Sequence, residues 1–411
     1  MSRFQRPADA EQRATSLELF YDLVFVFAIT QVSHFLISHL TLTGVAEAAL
    51  VLLVVWWAWN YTTWVTNELD VGSTVVRLVL IGVMFASLLM AVAIPQAFGA
   101  RALLFVGSYL AIQIGRHTFL TFVVAPAGTI ERERAGRILL WFAAAGVFWI
   151  AGGFAGGALR AVFWVAALAI DYSAPLAVFW VPGKPRFSEH AWEVGVEHFA
   201  ERFQLFMIIA LGESIVVTGA TTADLPLSFA RAVAFGLAFL GTCALWWLYF
   251  DYVATIAQRR LELARERTRM ARDAYTYLHV VMVAGIIVAA VGNEVVIAHP
   301  TDRLPGREIA AVVAGPPLYL LAHVLFRLRM TRTVSWKRFG GAVACVAVAA
   351  AGLIAPAVVL AGLVVAVLVT VIALEQRSGA RRRARGEPSP LEQLKLAQAP
   401  DLDRTAGGEP A

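Results

Sequence analysis

The sequence predicts an all-α, polytopic membrane protein of about twelve transmembrane helices, arranged as two parallel six-helix repeats. Three observations predict this fold: an apolar composition, a series of long apolar stretches, and residue pairs that recur in both halves. Of the 411 residues, 59% are hydrophobic and 15% are charged, whereas soluble domains have about 45–50% apolar and about 25% charged residues. The composition therefore excludes an ordinary soluble domain.

Apolar stretches follow one another along the chain, and a helix needs about 20 such residues to cross a bilayer. The first has no small-residue cleavage site after it, so we interpret it as an uncleaved span. Gly352 and Pro356 divide the last apolar region into a hairpin. The predicted spans are 17–37, 45–65, 75–95, 101–123, 138–153, 159–180, 199–220, 228–252, 277–297, 308–328, 338–353 and 356–374.

Basic residues cluster in every second connection between these spans. With a cytoplasmic N-terminus, the clusters all lie inside, as the positive-inside rule requires. The basic residues behind the net charge of +5 are thus better explained by the orientation of the protein in the membrane than by nucleic-acid binding. We predict a bacterial inner-membrane protein with both termini cytoplasmic. The clusters are Arg132, Arg134 and Arg137; Lys184 and Arg186; Arg259, Arg260, Arg265, Arg267, Arg269 and Arg272; Arg327, Arg329, Arg332, Lys337 and Arg338; and Arg377 with Arg381 to Arg383.

Three residue pairs recur in the second half in the same order, which predicts duplication of a six-helix unit. Because six is even, both halves would have the same orientation in the membrane. The chain then divides into an N-terminal segment 1–16, a first repeat 17–180, a linker 181–198, a second repeat 199–375 and a basic, disordered tail 376–411. The matched pairs are Glu18 and Phe20 with Glu201 and Phe203, Trp56 and Trp57 with Trp246 and Trp247, and Tyr109 and Leu110 with Tyr319 and Leu320.

The first span carries two carboxylates, Glu18 and Asp22, four residues apart on one helix face. Acids in a bilayer are costly and belong at the interface, inside a bundle or on a wet path. Thr15 followed by Glu18 also fits a helix-capping box, with Asp22 one turn further on. Capping alone and capping with a functional role both remain open. Thr30 lies further along the same span.

The seventh span opens the second half, where Glu201 takes the position of Glu18 and Leu205 that of Asp22. Glu213 lies in the middle of this span and is the sharpest functional signal in the sequence. A structural acid that locks two helices together is the alternative. We favour a wet or ion-facing role.

Other polar groups also lie within predicted spans: Arg116, Asp171, His279 and His323. Arg116 paired with Asp171 or with Glu213 would neutralise two buried charges at once. These four residues are candidates for buried polar contacts or ion pairs, and the sequence leaves the partners open.

An acidic run precedes the seventh span and comprises Glu193, Glu197, His198 and Glu201. Three acids on one face could hold a divalent cation, but the spacing matches no metal motif, and we favour an interfacial amphipathic helix. The sequence contains no phosphate-binding glycine loop, hydrolase elbow or zinc motif. We therefore predict no catalytic residue, cofactor or metal, and no enzymatic activity.

Long motifs resemble those of the bacterial low temperature requirement A family. They are ELFYDLVFVFAIT in the first span, ERF-x-LFMIIALGESIV in the seventh and RDAYTYLHVVMVAGI before and within the ninth. The resemblance covers nearly all of residues 13–375. It implies a multi-pass inner-membrane protein; the family is named for a growth trait.

The first span is also similar to the first helix of transmembrane-protein-175-type potassium channels, which have the pattern R-x-x-x-F-S-D followed by A-I-T. Those channels use six-helix repeats, and the first helix of each repeat lines the pore. The similarity implies that spans 1 and 7 line a pathway. Ser16 and Tyr21 depart from the arginine and serine of the pattern, and Leu205 replaces the aspartate in the second half. The matching positions are Phe20, Tyr21 and Asp22 at F-S-D and Ala28, Ile29 and Thr30 at A-I-T.

The favoured functional hypothesis is a pathway for protons or monovalent cations, lined by spans 1 and 7. Glu18, Asp22 and Glu201 would set its cytoplasmic-side field, and Glu213 would act within it. A secondary transporter that rocks around Glu213, Asp171 and Arg116 is the runner-up. A sensory or structural membrane protein without flux is the third hypothesis. The expected partners are the lipid bilayer, these ions and a second copy of the chain, with no nucleic acid.

Overall fold

The computed structural model describes residues 13–187, 195–251, 253–389 and 391–393, and this part of the chain is helical without a β-strand. The all-α prediction is thereby confirmed. The helices are α1 (Ser16–Ser38), α2 (Leu42–Thr66), α3 (Thr74–Ala93), α4 (Ala102–Phe119), α5 (Ile130–Phe154), α6 (Gly157–Ser173), α7 (Val196–Ala223), α8 (Phe229–Phe250), α9 (Val253–Glu262), α10 (Arg267–Met270), α11 (Tyr277–Ala298), α12 (Gly306–Thr331), α13 (Trp336–Val348) and α14 (Ala357–Ala384).

Ten stretches of helix in the described residues are long and apolar enough to cross a membrane, so the protein is a multi-pass membrane protein. Helices α4 and α6 lie at the fourth and sixth predicted spans but are not among the ten. Helix α4 carries Gln113, Arg116 and His117 in its second half, and α6 has 17 residues. The twelve-span count and the duplication stay predictions.

Polar side chains define where several helices begin, because the first N–H groups of a helix lack partners within it. Thr15 caps α1 through the predicted capping box with Glu18. Thr41 accepts from the Gly44 amide at 3.1 Å at the start of α2. Thr129 does the same for α5. The chain turns between Gly352 and Pro356, as predicted, because the proline begins α14.

Aromatic side chains fill the centre of the bundle. Trp56 and Trp59 of α2 are buried and contact Phe203 and Phe206 of α7, with the Trp59 and Phe206 rings 4.1 Å apart. Trp246 of the second half, the predicted counterpart of Trp56, is 45% exposed. The two double-tryptophan segments therefore occupy different environments.

Helices α11 and α12 pack closely because glycines lie at their contact. A Cβ atom at Gly315 would lie 2.4 Å from the Ala289 backbone nitrogen, and one at Gly285 would lie 2.8 Å from that of Tyr319. Small residues allow such close backbone approach between membrane helices. This contact fixes α11, which carries Glu294, against the rest of the second half.

The predicted terminal and linker segments are described only in part. Residues 1–12 and 394–411 lie outside the described residues, as do 188–194, which include Glu193 of the acidic run. Helix α14 continues to Ala384, so residues 376–384 of the predicted tail are helical. Residues 196–201 of the acidic run form the first turns of α7, so this part of the predicted interfacial helix is continuous with the seventh span.

Candidate functional site

Two buried acid–base contacts join α1 to α7, one with a histidine and one, an ion pair, with an arginine. Oε1 of Glu18 lies 2.9 Å from Nε2 of His198, and Oδ1 of Asp22 lies 2.7 Å from a terminal nitrogen of Arg202. All four side chains are at most 1% exposed. The two acids lie four residues apart on α1, and the two bases lie four residues apart on α7. Residues at this spacing share one face of a helix, so the two contacts follow one another along the same helix interface. The predicted acids of the first span are thus matched by bases of the seventh.

The two acids differ in how fully their oxygens are bonded. Oε2 of Glu18 accepts from both the backbone N–H and the hydroxyl of Thr15, each at 2.9 Å. Oδ1 of Asp22 also accepts from the Trp59 indole at 2.8 Å, while Oδ2 has no partner among the described residues. Glu18 therefore combines the predicted capping role with a contact to His198, and its functional role stays a prediction.

Glu201 holds the beginning of α1 and takes no part in these two pairs. Its Oε2 accepts from the Ala14 backbone N–H at 2.7 Å. The preceding turn of α7 carries His198, whose Nδ1 lies 3.2 Å from the Asn67 side chain. Among the described residues, no group of three metal-binding side chains forms here or elsewhere. The start of α7 therefore holds the N-terminal end of α1 in place through Glu201 and His198.

Sequence reasoning missed Arg202 and the part that His198 plays. A signal was present: His198 and Arg202 lie 180 residues after Glu18 and Asp22 respectively, so two bases recur at the spacing of two acids. The acids on either side, Glu197 and Glu201, make this segment look like the polar face of an interfacial helix, which hides the basic pair.

Glu213 lies deep between α1, α7 and α11 and is 1% exposed. Neither of its carboxyl oxygens has a well-formed hydrogen bond to a described residue. The Thr30 hydroxyl interacts with this carboxyl group, but its hydrogen bond goes to the Val26 carbonyl at 3.0 Å. Burying a polar group without a hydrogen bond is costly, so the Glu213 carboxyl is an unsatisfied group in mid-helix.

A second acid and an exposed histidine continue from Glu213 toward the surface. Glu294 of α11 interacts electrostatically with Glu213, and its buried Oε2 also has no partner among the described residues. His34 of α1 is exposed and interacts with Glu294. The structure therefore brings together Thr30 and Glu213, which the sequence singled out, with Glu294 and His34, whose connection to them it did not reveal.

Arg116 contacts neither Asp171 nor Glu213, so neither predicted pairing of its charge is observed. A relay connects it to Asp171 instead. Arg116 donates to Oε1 of Gln113, the Gln113 amide donates to the Tyr109 hydroxyl at 3.2 Å, and Tyr109 donates to Asp171 at 2.7 Å. Opposite charges are linked through two neutral side chains, and both ends are buried. This network lies within the first six helices, away from Glu213.

The two candidate histidines lie in the second half and have partners of their own. His279 accepts from or donates to the Tyr249 hydroxyl at 2.9 Å and stacks on Tyr275. Nδ1 of His323 lies 2.8 Å from Arg338, which also pairs with Glu375. Since Arg338 can only donate, Nδ1 of His323 accepts. Both histidines are buried polar groups that connect helices.

Comparison with known proteins places the chain in a family. Residues 13–373 match the family described as Bacterial low temperature requirement A protein (LtrA). The chain is 35% identical over 324 residues to Uncharacterized protein RA0937 of Rhizobium meliloti (strain 1021), and the match covers 79% of each chain. No solved structure matches. The match spans both halves and every candidate residue above, and the chain belongs to the bacterial low temperature requirement A family.

Proposed function

We propose that this protein moves protons or monovalent cations across the membrane along the contact of α1, α7 and α11, with Glu213 as the intramembrane binding group. One observation carries the proposal: a mid-helix carboxyl group that is 1% exposed and whose two oxygens have no well-formed hydrogen bond to a described residue. Intramembrane acids are costly and are characteristic of proton and ion pathways. A bound proton or cation would supply the partner that the protein does not.

A series of titratable side chains that begins at one surface supports the proposal and forms the proposed route. His34 is exposed, Glu294 is half-buried and Glu213 is buried, and each interacts with the next. Histidine and carboxyl side chains can exchange protons near neutral pH when they lie in sequence. The route leads inward from the end of α1 opposite to its capped N-terminus.

The contacts of Glu18 and Asp22 with α7 lie near the capped N-terminal end of α1. In the proposal, these contacts close the pathway at that end. Glu18 and Asp22 are matched by His198 and Arg202, so they present no free negative field in this state. An ion entering from that end would require these pairs to separate. We place this end on the cytoplasmic side, with both termini in the cytoplasm, and we assign the protein no catalytic step.

Ion flux in proteoliposomes tests the proposal, with separate potassium, sodium and proton gradients. Glu213→Gln should reduce the flux of the conducted ion at least tenfold, because the amide cannot take up a proton or balance a cation. Glu197→Gln is the matched control, since Glu197 is exposed on the same helix. Flux that is equal in the wild type and in Glu213→Gln would contradict the assignment.

A secondary transporter is the second candidate, and a partly open cavity of about 120 Å³ that both halves of the chain line favours it. In that case Glu213 would couple an ion gradient to solute movement, and uptake would be saturable in solute. Flux of an ion alone, without solute, supports the pathway over the transporter.

A further inference from the structure

A cavity of about 120 Å³ lies at the end of the bundle that carries the arginine-rich connections, and it is partly open. The ends of α2 and α4, the start of α5, the segment 175–179 and the segment 268–276 enclose it. The last of these comes from the second half of the chain and the others from the first. The cavity is separate from Glu213, which does not line it.

Three departures from regular backbone meet at this cavity. The turns Leu120–Val124 and Ala271–Thr276 are π-helical, and residues of both line it. Val178 and Phe179 have φ angles of 51° and 50°, in the left-handed region that β-branched and bulky residues avoid. Isolated π-helical turns and strained backbone are frequent at functional sites. The presence of all three around one cavity indicates a binding site at this place.

Two polar side chains on the wall of the cavity have a hydrogen-bonding atom that no described residue uses. Tyr61 is 94% buried (6% exposed), and its hydroxyl has no hydrogen bond to a described residue. His117 uses Nδ1 to contact the Gln113 carbonyl at 3.0 Å, which leaves Nε2 as an acceptor in the neutral ring. The Tyr61 and His117 rings are 5.8 Å apart. A bound molecule with a polar group could satisfy both.

The charged side chains of the cavity balance one another. Glu68 pairs with Arg134, and Glu131 lies close enough to interact with Glu68. Burial raises the pKa of Glu68, and the Arg134 charge opposes that shift. Arg272 pairs with Asp273, which does not line the cavity, at 2.9 Å, and it also donates to the Pro175 carbonyl at 3.0 Å. Two carboxylates and two guanidinium groups therefore line one cavity, which disfavours a ligand with a single charge.

We propose that this cavity binds a small zwitterionic molecule with an apolar body, the chemical class of a free α-amino acid with a hydrophobic side chain. The ammonium group would interact with Glu68 and Glu131, and the carboxylate with Arg134 or Arg272. The apolar body would contact aromatic and aliphatic side chains of the wall. A dry cavity of roughly 150 Å³ accepts benzene, so the volume suits a side chain of about that size. This inference does not depend on ion flux, since equilibrium binding requires no gradient.

Binding to the purified full chain in detergent tests the inference, by calorimetry and by thermal unfolding. The probes are L-phenylalanine and L-leucine, with phenethylamine as the cation, 3-phenylpropionate as the anion and benzyl alcohol as the neutral analogue. A ligand that binds only the folded state stabilises it by RT ln(1 + [L]/Kd), so the unfolding temperature rises with the logarithm of the ligand concentration above Kd. We expect saturable binding of an amino acid that is at least tenfold tighter than that of the three analogues. No saturable binding of either amino acid, or equal binding of a singly charged analogue, would overturn the inference.

Three variants locate the binding. Tyr61→Phe removes only the unpartnered hydroxyl and should weaken binding by about fivefold, as expected for one hydrogen bond. Ala135→Phe adds a ring to the cavity wall and should abolish binding. Ala144→Phe, an exposed position on the same helix, should leave binding unchanged. Unaltered affinity in both Tyr61→Phe and Ala135→Phe would place the ligand elsewhere and refute the assignment.

Discussion

Asp22 of α1 and Arg202 of α7 form an ion pair of 2.7 Å in which neither side chain is exposed to solvent. The pair ties the first helix of the chain to a helix 180 residues later. One oxygen of Asp22 and two nitrogens of Arg202 have no hydrogen-bond partner among the described residues. Burying a pair with unsatisfied atoms is expensive, so its short distance is weak evidence that the pair stabilises the fold.

Removing one member of this pair should destabilise the protein strongly. Arg202→Met leaves the Asp22 carboxylate buried without its cation, which costs about 3–5 kcal/mol for broken buried pairs. Thermal and denaturant unfolding in detergent measure the effect. The double variant Asp22→Asn with Arg202→Met should recover much of the loss because no uncompensated charge remains. Equal destabilisation by the single and the double variants would show that the pair is not coupled.

Glu213→Gln should leave the unfolding temperature nearly unchanged, even as it reduces flux. The carboxyl group has no well-formed hydrogen bonds to lose, and the amide adds no buried charge. A structural acid that locks two helices would behave differently, because its replacement would lower stability by about 1–3 kcal/mol. The same unfolding assay distinguishes these two roles. A large loss of stability would favour the structural role.

Asp171→Ala should destabilise the first six helices more than Tyr109→Phe does. Both Tyr109 and the Trp149 indole donate to Oδ2 of Asp171, at 2.7 and 3.0 Å. The alanine leaves two buried donors unpartnered, at about 1–3 kcal/mol each, whereas Tyr109→Phe removes one donor and leaves Trp149 bonded. Denaturant unfolding compares the two variants. If Asp171→Ala and Tyr109→Phe both unfold at the same denaturant concentration as the wild type, the hydrogen-bond relay from Arg116 to Asp171 does not stabilise the fold.

Cysteine labelling can decide whether α4 crosses the membrane. Ala100 and Ala127 are exposed at the two ends of α4. If α4 is a span, Ala100→Cys and Ala127→Cys react with an impermeant thiol reagent from opposite sides of sealed membranes. The twelve-span prediction places Ala127 on the cytoplasmic side. Labelling of both from one side would contradict that prediction. The parent protein must also be tested, because Cys243 is partly accessible.

Close packing of α11 on α12 predicts a steric effect at Gly315. Gly315→Val would place Cβ against the Ala289 backbone, where a contact of 2.4 Å requires the helices to move apart. Overpacking of this kind costs about 1–3 kcal/mol or more. Gly236→Val is a suitable control because a Cβ atom there meets open space. The unfolding temperature should fall for the first variant by more than for the second.

The sequence by itself determined the class of protein and the sites of its helices. Apolar length is a local property, so the ten stretches long enough to span a membrane coincide with predicted spans. The capping box at Thr15 and the break at Pro356 were predictable for the same reason, since each depends on residues within one turn. The sequence also singled out Glu213, because an acid in an apolar stretch is conspicuous without any knowledge of its neighbours.

Only the tertiary structure decided which polar groups meet. Helices α1 and α7 are apolar on most of their surface, so no polar face reveals how each is rotated in the bundle. Rotation and packing select His198 and Arg202 as the partners of Glu18 and Asp22, and Gln113 in place of Asp171 as the partner of Arg116. They also leave Glu213 without a well-formed hydrogen bond to a described residue. The sequence shows which charged residues of a membrane helix need a partner. Only the three-dimensional arrangement of the helices determines whether each of them has one.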